Sequence, residues 1–171
     1  MARNLQFSAS YLTLEDRLLL SGTFPDRTEI RLLFTRRLTR GLLQGLDRLS
    51  EMLVKGDAAT PEMKQQVASF NREAAVEQAD FSQSYAKGQP HALMAEGPRL
   101  ATEITFSPKP GDRVAIAIKL DKGARIDFAL PTSALWSLAH LLKTQAARAK
   151  WDLAPVAPEP VRAPAARGRL N

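Results

Sequence analysis

Residues 17–34 read RLLLSGTFPDRTEIRLLF, and this stretch decides the fold. It holds two runs in which apolar residues alternate with others: Leu18, Leu20 and Phe24, then Ile30, Leu32 and Phe34. A period of two places the apolar members of each run on one face of a β-strand. Pro25 and Asp26 separate the runs and favour a turn, because proline presets φ and aspartate bonds the backbone that follows. The stretch therefore predicts a hairpin with one apolar side.

The same pattern returns 96 residues later. Residues 112–142 align with residues 16–46 without a gap, and the matching pairs are Asp16 with Asp112, Arg17 with Arg113, Leu18 with Val114, Leu20 with Ile116, Phe24 with Leu120, Ile30 with Ile126, Leu32 with Phe128, Leu42 with Leu138 and Leu46 with Leu142. Each copy has a weaker strand pattern upstream, at 6–14 and 100–106, and a helical apolar pattern after its second strong strand. The chain therefore predicts a β-β-β-α unit used twice.

These patterns predict an α+β fold of antiparallel sheets packed against helices. The apolar face of each sheet needs a cover, which either its own helix or the helix of the other unit can supply. Thr60 and Pro61 open an extra helix between the units, with an apolar stripe formed by Met63, Val67, Phe70 and Ala74. Residues 82–98 lack a period and are interpreted as a loop.

The predicted organisation is one α+β domain over residues 1–153. Repeat one covers about 5–55, the connecting helix and loop cover 56–98, and repeat two covers about 99–153. Residues 154–171 are rich in proline, alanine and arginine, a composition that cannot form a core, so a disordered tail is predicted.

Composition restricts the compartment and the chemistry. The chain has no cysteine, which excludes disulfides, thiol catalysis and cysteine-based metal sites. It has no apolar run of signal-peptide length and no stretch long enough to span a membrane. We therefore predict a cytoplasmic protein without a membrane partner. The net charge is +6, yet residues 56–98 hold three Lys/Arg and six Asp/Glu, so that segment is acidic by three charges.

No pattern of catalytic residues is visible. His91 lies in the predicted loop and His140 flanks an apolar helix stripe, and both are interpreted as structural or solvated. Glu15 and Asp16 would point to opposite faces of an extended chain, which does not suit shared acid–base chemistry. We predict no catalytic residues, no cofactor-binding residues and no metal ligands, and hence a protein that is not an enzyme.

Basic residues form the most suggestive candidate site. The candidate contacts for an anion or a nucleic acid are Arg27, Arg31, Arg36, Arg37 and Arg40 in the first unit, and Lys119, Lys122 and Arg125 in the second. Cations near a helix N-terminus oppose the helix dipole unless an anionic neighbour or ligand compensates them. Glu29 and Asp26 could be those neighbours, so the alternative to an anion or nucleic-acid site is a local network of ion pairs. Tyr11, Tyr85, Trp136 and Trp151 are the aromatic residues left for base stacking.

In architecture, this repeated unit of antiparallel strands followed by a helix resembles the Whirly and PUR-repeat proteins. That resemblance implies binding of single-stranded nucleic acid on the sheets. Residues 29–37, which read EIRLLFTRR, resemble a stretch in uncharacterised proteobacterial proteins; this second resemblance covers mainly residues 15–50 and implies no activity.

Two functional hypotheses follow. The first is a non-catalytic interaction protein that acts as a homo-oligomer or an adaptor, since open antiparallel sheets have edges that need covering. The alternative is a protein that binds single-stranded nucleic acid through its basic clusters.

Overall fold

The computed structural model describes residues 5–56 and 60–153, so the predicted tail lies outside the described residues. The first unit consists of β1 (Gln6–Leu12), β2 (Arg17–Thr23), β3 (Thr28–Phe34) and α1 (Arg36–Met52). Between the units lie α2 (Pro61–Gln78) and β4 (Gln89–Pro90). The second unit consists of β5 (Arg99–Lys109), β6 (Arg113–Leu120), β7 (Arg125–Pro131) and α3 (Thr132–Arg148). Two 3₁₀ turns, Ala92–Met94 and Asp121–Gly123, complete the fold.

One sheet runs through both units, and we call its half formed by β1–β3 the first sheet and its half formed by β5–β7 the second sheet. Its strand order is β1-β2-β3-β5-β6-β7, and β4 pairs with β3 beside this path. Within each unit the neighbours are antiparallel, whereas β3 and β5 are parallel and pair only at Leu32–Arg99 and Leu33–Leu100. The α+β class with an antiparallel-rich sheet is therefore confirmed. No helix in the described part of the chain is long and apolar enough to cross a membrane.

Backbone geometry repeats with the sequence offset of 96. Both ends of α3 lie 96 residues after the ends of α1. The second hairpin has the same register in each unit, since Leu18 faces Phe34 and Val114 faces Leu130. Positive φ angles recur in the turns, at 49° for Asp16 and 51° for Asp112, and again at 71° for Arg27 and 73° for Gly123. The duplicated unit predicted from the sequence therefore agrees with the structure.

The first strand of each unit departs from this offset by one residue. Leu12 faces Arg17 in the first unit, and Lys109 faces Arg113 in the second. The turn between these strands is residues 13–16 in one unit and 110–112 in the other. A turn shorter by one residue shifts the register from Glu103 to Lys109, and a bulge between Ala101 and Glu103 restores the offset of 96 at Ala101, which faces Leu120.

The two helices are exchanged between the units. α3 packs mainly on β1 and also contacts β2, whereas α1 packs on β5. A Cβ atom at Gly45 of α1 would lie 3.6 Å from the ring of Phe106 on β5. Beyond the end of α3, the Trp151 ring meets Tyr11 of β1 edge-on at 6.0 Å, and its indole N–H donates to Asp16 at 2.8 Å. α3 also contacts β7 of its own unit, but each helix packs mainly on a strand of the other unit.

The chain after α2 wraps around the edge strand β1. The Phe81 ring packs on His140 of α3 at 5.3 Å, and the Ala86 N–H donates to Gln6 Oε1 on β1 at 3.0 Å. Tyr85 then lies over the outer face of the first sheet. Its hydroxyl donates to Glu29 at 2.8 Å and accepts from the Thr23 hydroxyl at 2.8 Å. The predicted loop thus contains β4 and a 3₁₀ turn, and it covers part of a sheet.

Tyr85→Phe removes the donor to Glu29, whose residue is only 5% exposed. We expect a loss of about 1–3 kcal/mol in the free energy of unfolding at neutral pH, because a buried acceptor loses its partner. Burial, with a contribution from Glu29, raises the pKa of Tyr85 to about 12. Because the pKa of Tyr85 is higher in the folded than in the unfolded protein, this group stabilises the folded state fully below the unfolded pKa of about 10. That contribution to the free energy of unfolding is lost as the pH rises to about 12. Urea unfolding at several pH values should show that the difference in the free energy of unfolding between wild type and variant becomes smaller as the pH rises across this range.

Two glycine substitutions should act in opposite directions. A Cβ at Gly88 would collide with the Arg27 carbonyl oxygen, which accepts from the Gln89 N–H at 2.7 Å, so Gly88→Ala should cost about 1–3 kcal/mol. Gly41 lies within α1 with nothing within 4 Å of the added Cβ, so Gly41→Ala should stabilise by about 0.5–1 kcal/mol. Thermal unfolding of both variants measures the contrast; equal effects would contradict the close approach at Gly88.

Candidate interaction surface

Helix α2 lies outside the sheet layer and packs on α1 and α3. Thr60 starts it by accepting a hydrogen bond from the Met63 N–H at 3.3 Å. Ala68 is the buried residue of its packed side. Arg72 fixes the helix to α1 by donating to the Asp47 carboxylate at 2.7 Å and to the Ser50 hydroxyl at 2.9 Å. Ala68 and the ion pair of Arg72 with Asp47 thus contribute to the attachment of α2.

The opposite side of α2 presents large apolar side chains to solvent. Met63 is 53% exposed, Val67 is 44% exposed and Phe70 is 69% exposed. Spacings of four and three place these residues on one face of the helix. We call these three residues the apolar ridge. The remaining large exposed hydrophobic residues of the described chain, Leu14, Met52 and Phe81, lie on other elements.

An acidic border runs along one side of the apolar ridge. Glu62, Glu73 and Glu77 are exposed, and the period of an α-helix places them, with Gln66, in the row next to the ridge. Ser69 donates to Glu73 at 3.1 Å, and among the described residues no salt bridge involves any of the three glutamates. We call these three glutamates the acidic row. The surface therefore combines apolar area with negative charge that has no ionic partner in the described chain.

The sequence predicted the apolar stripe of α2 but did not show whether the stripe faces the core or the solvent. An apolar stripe on a helix ordinarily faces the core, and the pattern of Met63, Val67 and Phe70 resembles a packing face. In the structure the helix turns its alanine side inward and its larger side chains outward. The signal that could have indicated this is Ala68 and Ala75, which lie seven residues apart on the other side and permit a close approach.

The first basic cluster is partly occupied by the chain itself. Arg36 and Arg40 both donate to the carbonyl oxygen of Asp152, at 3.3 and 2.6 Å. The neighbours considered from the sequence have other partners, since Glu29 binds Tyr85 and Asp26 accepts from the Thr28 N–H at 2.8 Å. Arg36 and Arg40 therefore bind the segment after α3 and do not pair with Glu29 or Asp26.

The second basic cluster lies on the outer face of the second sheet. Lys119 and Arg125 face each other across β6 and β7. Lys119 forms a salt bridge with Glu103 at 2.9 Å, and Arg125 forms one with Asp127 at 2.7 Å. Asp127 in turn has a lowered pKa because Arg125 bonds its carboxylate. Lys119 and Arg125 thus each have a carboxylate beside them.

The remaining candidates are dispersed over several elements. Arg27 lies exposed in the β2–β3 turn, Arg37 is exposed at the start of α1, and Lys122 is exposed in the turn after β6. Arg31 is half-buried on β3, and its Nε is buried without a hydrogen-bond partner. The structure therefore brings together the pair Arg36–Arg40 and the pair Lys119–Arg125.

The aromatic residues considered for base stacking are largely engaged. Trp136 and Trp151 belong to the buried core. Tyr11 packs on Trp151, and Tyr85 is hydrogen-bonded over the first sheet. The expectation that these four residues are free is therefore wrong, because both tryptophans lie in the core and both tyrosines have fixed partners.

Other titratable groups have local structural partners. The Trp151 indole and then the Tyr11 hydroxyl bond Asp16 and lower its pKa. Arg99 bonds Asp121 and lowers its pKa, and it links β5 to the following turn. The His91 ring nitrogen accepts from the Leu93 N–H at 3.1 Å and starts a 3₁₀ turn. No cluster of three or more potential metal ligands occurs among the described residues.

Comparison with known proteins found no family model, no curated protein and no solved structure that matches this chain. The apolar ridge and its acidic row are therefore the features of the described surface on which a functional argument can be based.

Proposed function

We propose that this protein is a non-catalytic interaction protein, oligomeric or adaptor-like, that binds another polypeptide through the outer face of α2. The observation that carries the proposal is the exposure of Met63, Val67 and Phe70 on one helix face. Single exposed apolar residues are common on protein surfaces, but several large ones side by side typically mark a contact site.

The composition of the ridge suits protein binding. Phenylalanine and methionine are enriched in the buried centres of interfaces, and methionine adapts its shape to different partners. A helix face with apolar residues at spacings of three and four is also a standard element of helix-in-groove and helix–helix recognition. The anchoring of α2 by Arg72 to Asp47 and Ser50 supports a helix that is fixed before it binds.

A photo-crosslinking amino acid tests the proposal directly. Placed at Phe70, it should give a discrete covalent adduct with a second copy or another protein, because this side chain would lie at the centre of the contact. The matched control is the same amino acid at Leu14, a fully exposed apolar residue in the β1–β2 turn. Gel shifts and mass spectrometry identify the adducts. Absence of an adduct at position 70, or equal labelling at position 14, would count against the proposal.

Polar substitution of the ridge separates binding from folding. The double variant Val67→Gln and Phe70→Gln should lose self-association or partner binding by at least about 30-fold, which is typical for removal of an interface anchor. Its free energy of unfolding should change by no more than about 0.5 kcal/mol, because both side chains face solvent. Light scattering at high concentration and urea unfolding measure the two effects. A destabilised variant, or an unchanged association, would contradict the assignment.

Nucleic-acid binding stays an untested alternative. This alternative has less support than binding through the ridge, because four of the candidate cations already contact groups of this chain: Arg36, Arg40, Lys119 and Arg125. It predicts retention on single-stranded DNA or RNA at low salt, with affinity falling steeply between roughly 50 and 200 mM salt. Filter binding of wild type and of Lys119→Ala with Arg125→Ala distinguishes the two functions.

A further inference from the structure

We infer that the α2 surface takes a basic amphipathic segment of a partner protein, and this inference rests on the proposed function. The partner segment would present apolar residues to Met63, Val67 and Phe70, and lysine or arginine side chains to Glu62, Glu73 and Glu77. The α2 surface would therefore select its partner by charge as well as by apolar contact.

The position of the acidic row is the first argument. The three glutamates lie along one side of the ridge, whereas the row on its other side consists of Lys64, Asn71 and Gln78. Lys64 is half-buried, and Arg72, on the packed side, is paired with Asp47. A bound segment thus meets three carboxylates along one border, and one half-buried lysine with two neutral side chains along the other.

The unpaired state of these glutamates is the second argument. Lys119 with Glu103 and Arg125 with Asp127 are exposed charges that are paired within the fold, whereas none of the salt bridges among the described residues involves Glu62, Glu73 or Glu77. Segment 56–98 carries a net charge of −3, three Lys/Arg minus six Asp/Glu, within a chain whose net charge is +6. Three of those six carboxylates, Glu62, Glu73 and Glu77, lie beside the exposed apolar ridge, and complementary charge on a partner would steer association.

Electrostatics also opposes one form of self-pairing. A two-fold axis that pairs α2 antiparallel with its copy keeps both acidic rows on the same side of the contact. Like charges would then lie along one border of the interface and destabilise it. A basic segment relieves this repulsion, which is why a partner of opposite charge is favoured over an antiparallel second copy.

A pair of synthetic peptides provides the test. One is a helical peptide of about 18 residues, with leucines at spacings of three and four and lysines along one flank of the apolar stripe. The other has glutamate in place of every lysine. Fluorescence anisotropy with the full-length protein should show saturable binding of the lysine peptide. Binding of the glutamate peptide should be at least about tenfold weaker, because like charges would face each other.

Charge-reversal variants locate the contact. Glu73→Lys with Glu77→Lys should weaken binding of the lysine peptide by at least about tenfold and improve binding of the glutamate peptide. The matched control is Glu15→Lys with Glu96→Lys, which changes the net charge equally at exposed sites away from α2. The control double variant should bind the lysine peptide like wild type.

Several outcomes would overturn the inference. Equal binding of both peptides, or an equal loss in the control variant, would show that the acidic row does not select the partner. Absence of peptide binding together with a Phe70 adduct would leave the proposed function standing while this inference fails. An adduct between two copies that is unaffected by the Glu73 and Glu77 reversals would identify a second copy as the occupant. Absence of both binding and adduct would remove both proposals.

Discussion

The exchange of helices between the two sheets is the constraint on which the structure depends. Each three-stranded unit has one apolar face, and an exposed sheet face of that kind is unstable in water. α3 covers the first sheet and α1 covers β5 of the second, so each unit supplies the cover for the other. Trp151 reinforces the arrangement because it reaches back to Asp16, which lies 135 residues earlier in the chain.

This constraint determines where α2 can lie. With α1 and α3 already on the sheets, the third helix has only their outer surfaces to pack against. It does so through Ala68 and through the ion pair of Arg72 with Asp47, and most of its perimeter stays in contact with solvent. The chain then returns to β3 along the outer face of the first sheet, where Tyr85 covers Glu29. The connecting segment therefore lies outside the repeated unit.

Much of the fold could be predicted because its signals are local. Alternation at Leu18, Leu20, Ile30 and Leu32 and the turn at Pro25 give the hairpin, and the offset of 96 gives its copy. Which helix covers which sheet could not be predicted, since both α1 and α3 have suitable apolar stripes. The outward orientation of Phe70 and the contact of Arg36 with Asp152, 116 residues away, were equally inaccessible. They depend on which surfaces meet after the sheets have formed, and periodicity contains no information about that.

The matching turn angles at Asp16 and Asp112 have an evolutionary implication. One β-β-β-α unit alone exposes an apolar sheet face, but two copies that exchange helices cover each other. An offset of 96 residues that holds from β2 to the end of the helix is the relation expected when the subunits of a domain-swapped homodimer become joined by tandem fusion of one gene. In such a fusion the linker has no counterpart in the ancestral dimer. The linker is then free to acquire a sequence of its own, and here it forms an entire helix.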